Sequence, residues 1–362
     1  MRFNPPPNWP VPSGWTPPQD WRPDPSWPPA PEGWQYWIDE PATTGVPATA
    51  GTPGKPLLLV TVVSLIVALI AVGSTVYLLV NRPAAEARQL EEILPSDSEI
   101  GPRGVDVDSS GAVYVADALH TDDRDGRVLK IAPGASQAET LPFPPLQNAV
   151  GLVVDDADTV FVADSGGDTV YQLPQGATAA TTIPFTDLKS PEYLAVDSEG
   201  TLYVVEATRR AVRTLSRSGE ETTYPAVTDD GRFWNGITVK EPGVILASTF
   251  VQTPSADGDA TISDPLVTEI DLRTGARRNL TVADLHQPTG LAYDADGNLF
   301  VGNYYGSFGS VLRLTPEGVT DVVPFSGSVS PEDLAVAPDG SLVMTDMNLI
   351  RRLSNYRFDD QG

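Results

Sequence analysis

Five residues recur at one place in a repeating sequence and carry groups able to bind metal or move protons. They are Asp117, Asp164, Glu206, Asn303 and Asp346, with Ser248 in the sixth place. Each closes a short apolar run such as VYVAD, VFVAD or LVMTD. A ring of such oxygens would suit a hard divalent cation, calcium first. The competing role is structural, because Asp and Asn at strand ends accept backbone N–H groups of the turn that follows. Repetition favours the second role, since one central ion needs no carboxylate in every repeat. Asp257, Asp259 and Asp264 form another acidic loop, but Ile262 stands where an EF-hand-type loop needs Gly, so it reads as a solvated loop.

Other catalytic chemistry is tightly bounded. The chain has two His, His120 and His286, and no Cys. A His-rich metal centre cannot be assembled, a Ser-His-Asp triad would have to use one of these two, and thiolate or disulfide chemistry is absent. Against 23 Lys+Arg stand 48 Asp+Glu, for a net charge of -25, and only Arg2, Arg22, Lys55 and Arg82 among the basic residues precede position 83. A domain so acidic repels nucleic acid and anionic lipid headgroups; a neutral polymer, a protein or a cation is the partner it suits.

The elements that must position these residues are repeats. GVDVDSSGAVYVAD from Gly104, GLVVDDADTVFVAD from Gly151, YLAVDSEGTLYVVE from Tyr193, GITVKEPGVILAS from Gly236, GLAYDADGNLFVGN from Gly290 and DLAVAPDGSLVMTD from Asp333 align. The starts are 42 to 54 residues apart, the length of one four-stranded propeller blade. Each copy holds two apolar or alternating runs joined by an Asp/Gly turn, then a third run, a Gly turn and a fourth. The expected fold is all-β, a six-bladed propeller over 88–358. The sixth copy lacks a fourth run, while Gln89-Leu90-Glu91-Glu92-Ile93-Leu94-Pro95 matches one. Residues 88–95 are therefore expected to pair with Leu349 to Leu353, close the ring and remove its exposed edges.

The pattern P-x-G-(apolar)-x-V-D-x-x-G-x-(apolar)-(aromatic)-V-x-D, as in Pro102 to Asp117, resembles the NHL-repeat propeller family. Similar propellers form extracytoplasmic sensor domains of actinobacterial receptor serine/threonine kinases, and others are lactonases and antibiotic lyases. No phosphate-binding glycine loop or HRD-type loop accompanies this one, so the resemblance brings no kinase. Gluconolactonase-type propellers hold a metal with carboxylate and amide side chains at the channel mouth. That resemblance offers Glu192, Asn235 and Asn303, with Glu332, as metal ligands. The first-blade equivalent of Glu192 is Arg103, however, and a set of mixed sign reads as a polar plug of the channel.

In such a meander the loops between blades and between second and third strands share one face, and the tight Gly turns lie on the other. Long segments on the first face are expected at Ala118 to Gly126 with His120 and Asp122, at Ser248 to Asp264, and at Asn303 to Ser310 with Tyr304, Tyr305 and Phe308. With Trp234 and Asn235 these make a candidate binding face for a protein or a cell-wall glycan. Two readings of the rings stand open: recognition, or packing down on the blade tops. His286 reads as a surface loop residue.

Ahead of the repeats, Pro56 to Val80 carries no charge and is long enough to cross a bilayer as a helix, so 56–80 is the expected single anchor. The tail 1–55 is Pro- and Trp-rich and cannot build a core; it is expected to be disordered or extended as polyproline II. Trp9, Trp15, Trp21 and Trp27 recur every six residues, a spacer or a docking stripe for a cytoplasmic partner. The phrase WRPDPSWPPAPEGW resembles tails of actinobacterial membrane proteins. The expected topology has the tail inside and the propeller outside the cytoplasm. The linker 81–87 is short enough to keep the ring near the bilayer, with the Gly-turn face towards the lipid.

Overall fold

The computed structural model describes residues 2–3, 37–38, 90–94, 100–118, 125–225, 231–254, 260–305 and 308–356. The expected anchor 56–80, the linker 81–87, most of the tail, and the loop with His120 and Asp122 lie outside the described residues. Among the described residues no helix is long and apolar enough to cross a membrane. The chain divides into two units, Met1–Arg82 and Pro83–Gly362. In the first, β1 (Arg2–Phe3) and β2 (Trp37–Ile38) pair antiparallel, a contact the Pro-rich composition does not suggest.

The second unit opens with β3 (Leu90–Ile93). The first blade is β4 (Pro102–Val107), β5 (Val113–Asp117), β6 (Arg127–Ile131) and β7 (Glu139–Thr140). The second is β8 (Ala149–Val154), β9 (Val160–Asp164), β10 (Thr169–Leu173) and β11 (Thr181–Thr182). The third is β12 (Pro191–Val196), β13 (Leu202–Glu206), β14 (Ala211–Leu215) and β15 (Glu221–Tyr224). The fourth is β16 (Phe233–Glu241), β17 (Val244–Pro254), β18 (Ala260–Asp271) and β19 (Arg277–Leu280). The fifth is β20 (Gln287–Tyr293), β21 (Leu299–Tyr305), β22 (Phe308–Leu314) and β23 (Thr320–Val322). The sixth is β24 (Pro331–Val336), β25 (Leu342–Asp346) and β26 (Leu349–Ser354), completed by β3, whose Ile93 faces Arg351 and whose Leu90 faces Ser354. This is a six-bladed propeller closed by an N-terminal strand.

The second strand of each blade explains the apolar runs. β5, β13 and β25 are buried at every position, because neighbouring blades cover both faces, so no polar alternation is needed. The core is accordingly six layers between blades. Val105, Val115 and Leu129 meet Ala335, Val343 and Ile350 across the seam between first and last blades, and Trp234, Ile245 and Ile270 meet Tyr203, Val205 and Val212 between the third and fourth. Each fully buried aliphatic side chain contributes roughly 1.5–3 kcal/mol.

In four blades the turn after the first strand is set by one carboxylate, Asp108, Asp155, Asp197 or Asp294. Asp197 Oδ1 accepts Glu199 N–H and Thr201 N–H at 3.0 and 2.8 Å, Oδ2 accepts Tyr203 O–H at 2.8 Å, and Gly200 takes the left-handed φ of 76°. In the copy without Gly, Asp158 adopts φ 55°, a conformation Asp tolerates better than most residues. A second glycine position matters at the axis. A Cβ on Gly104 would lie 2.6 Å from both Leu152 N and Val150 O, so only glycine lets these innermost strands approach so closely.

Two segments expected as long loops are hairpin extensions instead. Most of Ser248 to Asp264 belongs to β17 and β18, which stay paired out to Pro254 and Ala260, and Tyr305 pairs Phe308 across the tip of β21 and β22. Their Thr, Val, Tyr and Phe content suits strands better than loops. Arg232, buried at the base of the fourth-blade extension, donates to Asp264 O at 2.6 Å and ion-pairs with its carboxylate.

Candidate site at the channel mouth and long-loop face

The recurring Asp, Glu and Asn at the ends of the second strands cap the loop that enters their own blade. Asp117 Oδ1 accepts Gly101 N–H at 2.9 Å, Asp164 accepts Asn148 N–H at 2.8 Å, and Glu206 accepts Lys189 N–H at 2.7 Å. Asn303 Oδ1 accepts His286 N–H and Asp346 Oδ1 accepts Ser330 N–H, both at 2.8 Å. Each reaches back 16 or 17 residues to the loop entering its own blade, because antiparallel pairing sets the end of the second strand opposite the start of the first. Ser248 departs from the pattern: its Oγ donates to Thr289 O on the next blade at 2.6 Å. All six are buried, and the five other than Ser248, with their oxygens already accepting N–H groups, form loop clamps. Glu206 also meets Arg213 at 3.4 Å and Arg209 at 3.3 Å.

The channel mouth gathers Arg103 and Glu332, the second residues of β4 and β24, and Asn235, the third of β16, around a cavity of about 30 Å³, room for one water. Arg103 and Glu332 form an ion pair at 3.2 Å, with 44% and 39% of the side chains exposed. Glu192 lies within reach of the Arg103 charge; burial pushes its carboxyl up and Arg103 partly offsets this. Asn235 is spent within the protein, with Nδ2 donating to Pro288 O at 2.9 Å and Oδ1 accepting Tyr193 O–H at 3.2 Å. Asn303 does not join the mouth; its amide donates to Asp284 O at 3.0 Å. Among the described residues no three or more His, Asp or Glu side chains are placed to hold a metal ion.

On the long-loop face the aromatic residues divide. Trp234 is buried at 6% exposure in the layer between third and fourth blades, which corrects its expected place on the binding face. Alternation along β16 turns Phe233 outward instead, 47% exposed and stacked on Phe250 at 5.9 Å. Tyr305 is 63% exposed, its ring 4.4 Å from that of His286, while Tyr304 beside it is half-buried. Phe308 opens β22 opposite Tyr305.

Two groups at the axis stand apart from the expected set. Asp106 Oδ2 accepts Val154 N–H at 2.7 Å and Asp333 Oδ2 accepts Val105 N–H at 3.0 Å, each bridging to the next blade. Burial pushes Asp333 up to about 7 and Asp106 to about 6, against the lowering effect of the N–H groups they accept. The aligned repeats carry the signal: Asp333 stands where four copies have Gly, and Asp106 where the others have Val, Ala or Thr.

No family model matches the chain, and no curated protein matches it. Solved structures similar to it include a streptogramin B lyase, at 13% identity over 75% of this chain and 99% of that one, with a TM-score of 0.56. Virginiamycin B lyase from Staphylococcus aureus is similar at 14% identity, 74% and 98% coverage and a TM-score of 0.54. A gluconolactonase-like protein is similar at 17% identity, 75% and 94% coverage and a TM-score of 0.54. At these identities what the chain shares with them is the six-bladed propeller fold.

Proposed function

We propose that the chain is a membrane-held binding protein, anchored by 56–80 with its tail in the cytoplasm, whose propeller meets a protein or cell-wall glycan outside. The observation that carries this reading is the pair of exposed rings on the long-loop face, Tyr305 on His286 and Phe233 on Phe250. A ring held by a second ring keeps its outer face presented at little entropic cost, which suits protein hot spots and stacking on sugars. The channel mouth supports the same reading, because Arg103 pairs with Glu332 and Asn235 is taken up by Pro288 O and Tyr193 O–H, around room for a single water. The repeat motif, which resembles exported NHL-type sensor propellers, supports the location.

Photo-crosslinking groups placed at 305 and 233 in the full-length protein, in its own membrane, test this. A discrete partner captured at both positions and not from a control at Val319 is expected. Equal capture at all three would remove the basis for a binding face. A second reading, a metal-dependent hydrolase or lyase, is favoured by the likeness in fold to a streptogramin lyase and a gluconolactonase-like protein. A stoichiometric divalent ion on the purified full-length protein, lost in Glu192→Gln, would carry that reading over the first.

A further inference from the structure

The channel is plugged at the long-loop end and open at the other. Beneath the plug lies a cavity of about 310 Å³ that reaches the face of the tight Gly turns. Val154, Val196, Val239, Tyr293 and Val336, at equivalent places in five innermost strands, line its outer part, and Asp106 and Asp333 line it further in. Asp156 and Asp197 also contribute, and none of its lining residues is Lys, Arg or His.

The geometry points to a site for a small organic cation, a protonated primary amine on a short aliphatic chain, entering from the Gly-turn face. Its ammonium meets Asp106 and Asp333, and its chain lies against the valines. Asp106 already accepts Val107 N–H at 2.8 Å and Val154 N–H at 2.7 Å, and Asp333 accepts Val105 N–H at 3.0 Å, yet a carboxylate oxygen taking one N–H keeps a second acceptor site. An ammonium supplies the donors those sites call for. The apolar wall selects an organic cation over a bare metal ion, for which the described residues assemble no ligand set. The net charge of -25 raises the local concentration of any cation.

The same site is tuned to pH. The groups facing the pair are Arg103 and Glu332 on the plug side, Asp156 and Asp197 at the turns, and Tyr293 on β20, which burial pushes up to about 12. With Asp106 near 6 and Asp333 near 7, the two carboxyls are part-protonated around neutrality. A cation must displace those protons, so affinity rises as pH climbs through this range and levels off above it. This site lies on the opposite face from the exposed rings and stands whether or not they meet a partner.

Calorimetric titration of the full-length protein in detergent with n-butylammonium chloride, at constant ionic strength, tests the site, with n-butanol and butyrate as comparators. One saturable site is expected at pH 8, about tenfold or more tighter than at pH 5.5, with neither comparator binding. Asp333→Asn should weaken it about tenfold. Thr238→Phe should do the same by narrowing the channel without altering either carboxyl, since Thr238 holds in β16 the place Asp106 holds in β4. Should Asp333→Asn fail to fold, Thr238→Phe and the pH comparison decide. Absence of saturable binding at pH 8, equal affinity for n-butanol, equal affinity at both pH values, or unchanged binding in Thr238→Phe would each overturn the assignment.

Discussion

Asp333 on the innermost strand of the last blade accepts the backbone N–H of Val105 on the first, at 3.0 Å across 228 residues of sequence. Asp106 repeats the bond one blade further on, to Val154 at 2.7 Å. Three consecutive innermost strands are thereby stitched together at the seam where the ring closes. Elsewhere at the axis glycines such as Gly151, where a Cβ would collide with Glu192 O, let backbones meet directly. At the seam two half-buried carboxyls bridge the strands as well, and because the protein around them desolvates their charged forms they bring a proton into the balance.

The first consequence is a dependence of stability on pH. In the unfolded chain an aspartate titrates near 3.8, whereas burial holds Asp333 at about 7. Between about pH 4 and 7 the folded protein keeps a proton the unfolded chain has lost, so this contribution favours folding at low pH and disappears as pH rises through 7. Asp333→Asn has no such proton. Relative to the parent it should gain stability between pH 5 and pH 8, by up to a few kcal/mol. Thermal melting of both proteins at the two pH values checks this, and a constant difference between them would show that the carboxyl does not titrate in that window.

The second concerns closure of the ring. β3 contributes more than its ladder with β26: Leu94 is buried in the layer between first and last blades, Glu91 pairs with Arg351 at 3.2 Å, and Glu91 accepts Ser326 N–H at 2.7 Å. A chain beginning at Gly101 loses all of this and exposes the edge of β26. It should aggregate or melt well below one beginning at Ala84. Equal melting temperatures would show that β3 is dispensable.

The fold was legible because its punctuation is local. Asp/Gly turns and apolar runs at a regular interval give four strands per repeat, and Leu90 to Leu94 matches the strand missing from the last copy. The partners of the recurring carboxylates were not legible, because the loop Asp117 clamps lies 16 residues back in sequence and only strand pairing brings it near. Phe233 and Trp234 are neighbours that alternate across β16, and composition cannot say which faces the next blade. Asp106 and Asp333 were visible only as residues out of keeping with their aligned positions.

The third prediction tests the loop clamps. Glu206 accepts Lys189 N–H and pairs with Arg213, whose side chain is 6% exposed and also pairs with Glu221. Glu206→Ala leaves the part-buried Lys189 N–H without its acceptor and the buried Arg213 guanidinium with Glu221 and Thr186 O alone, which should cost about 1–3 kcal/mol in denaturant unfolding. Glu206→Gln keeps an acceptor for Lys189 N–H and should cost less. A loss under 1 kcal/mol for the Ala variant would make the clamp ornamental, since that is about the value of an exposed pair.

The last prediction concerns the membrane. Between the expected anchor and β3 the basic residues are Arg82 and Arg88, and Gln89 is the only residue between Arg88 and β3. Arg82 precedes Pro83, a bond trypsin does not cut, so cleavage after Arg88 is what would free the ring with its closing strand intact. Trypsin added to spheroplasts should therefore release a soluble propeller into the supernatant, while the tail, which offers chymotrypsin Trp15, Trp21 and Trp34, stays protected from that protease inside. With the opposite topology chymotrypsin would cut the tail, and trypsin would leave the propeller retained. An antibody to each end separates the two outcomes, and retention of the propeller with loss of the tail would reverse the proposed orientation and move the exposed face of Phe233 and Tyr305 to the cytoplasm.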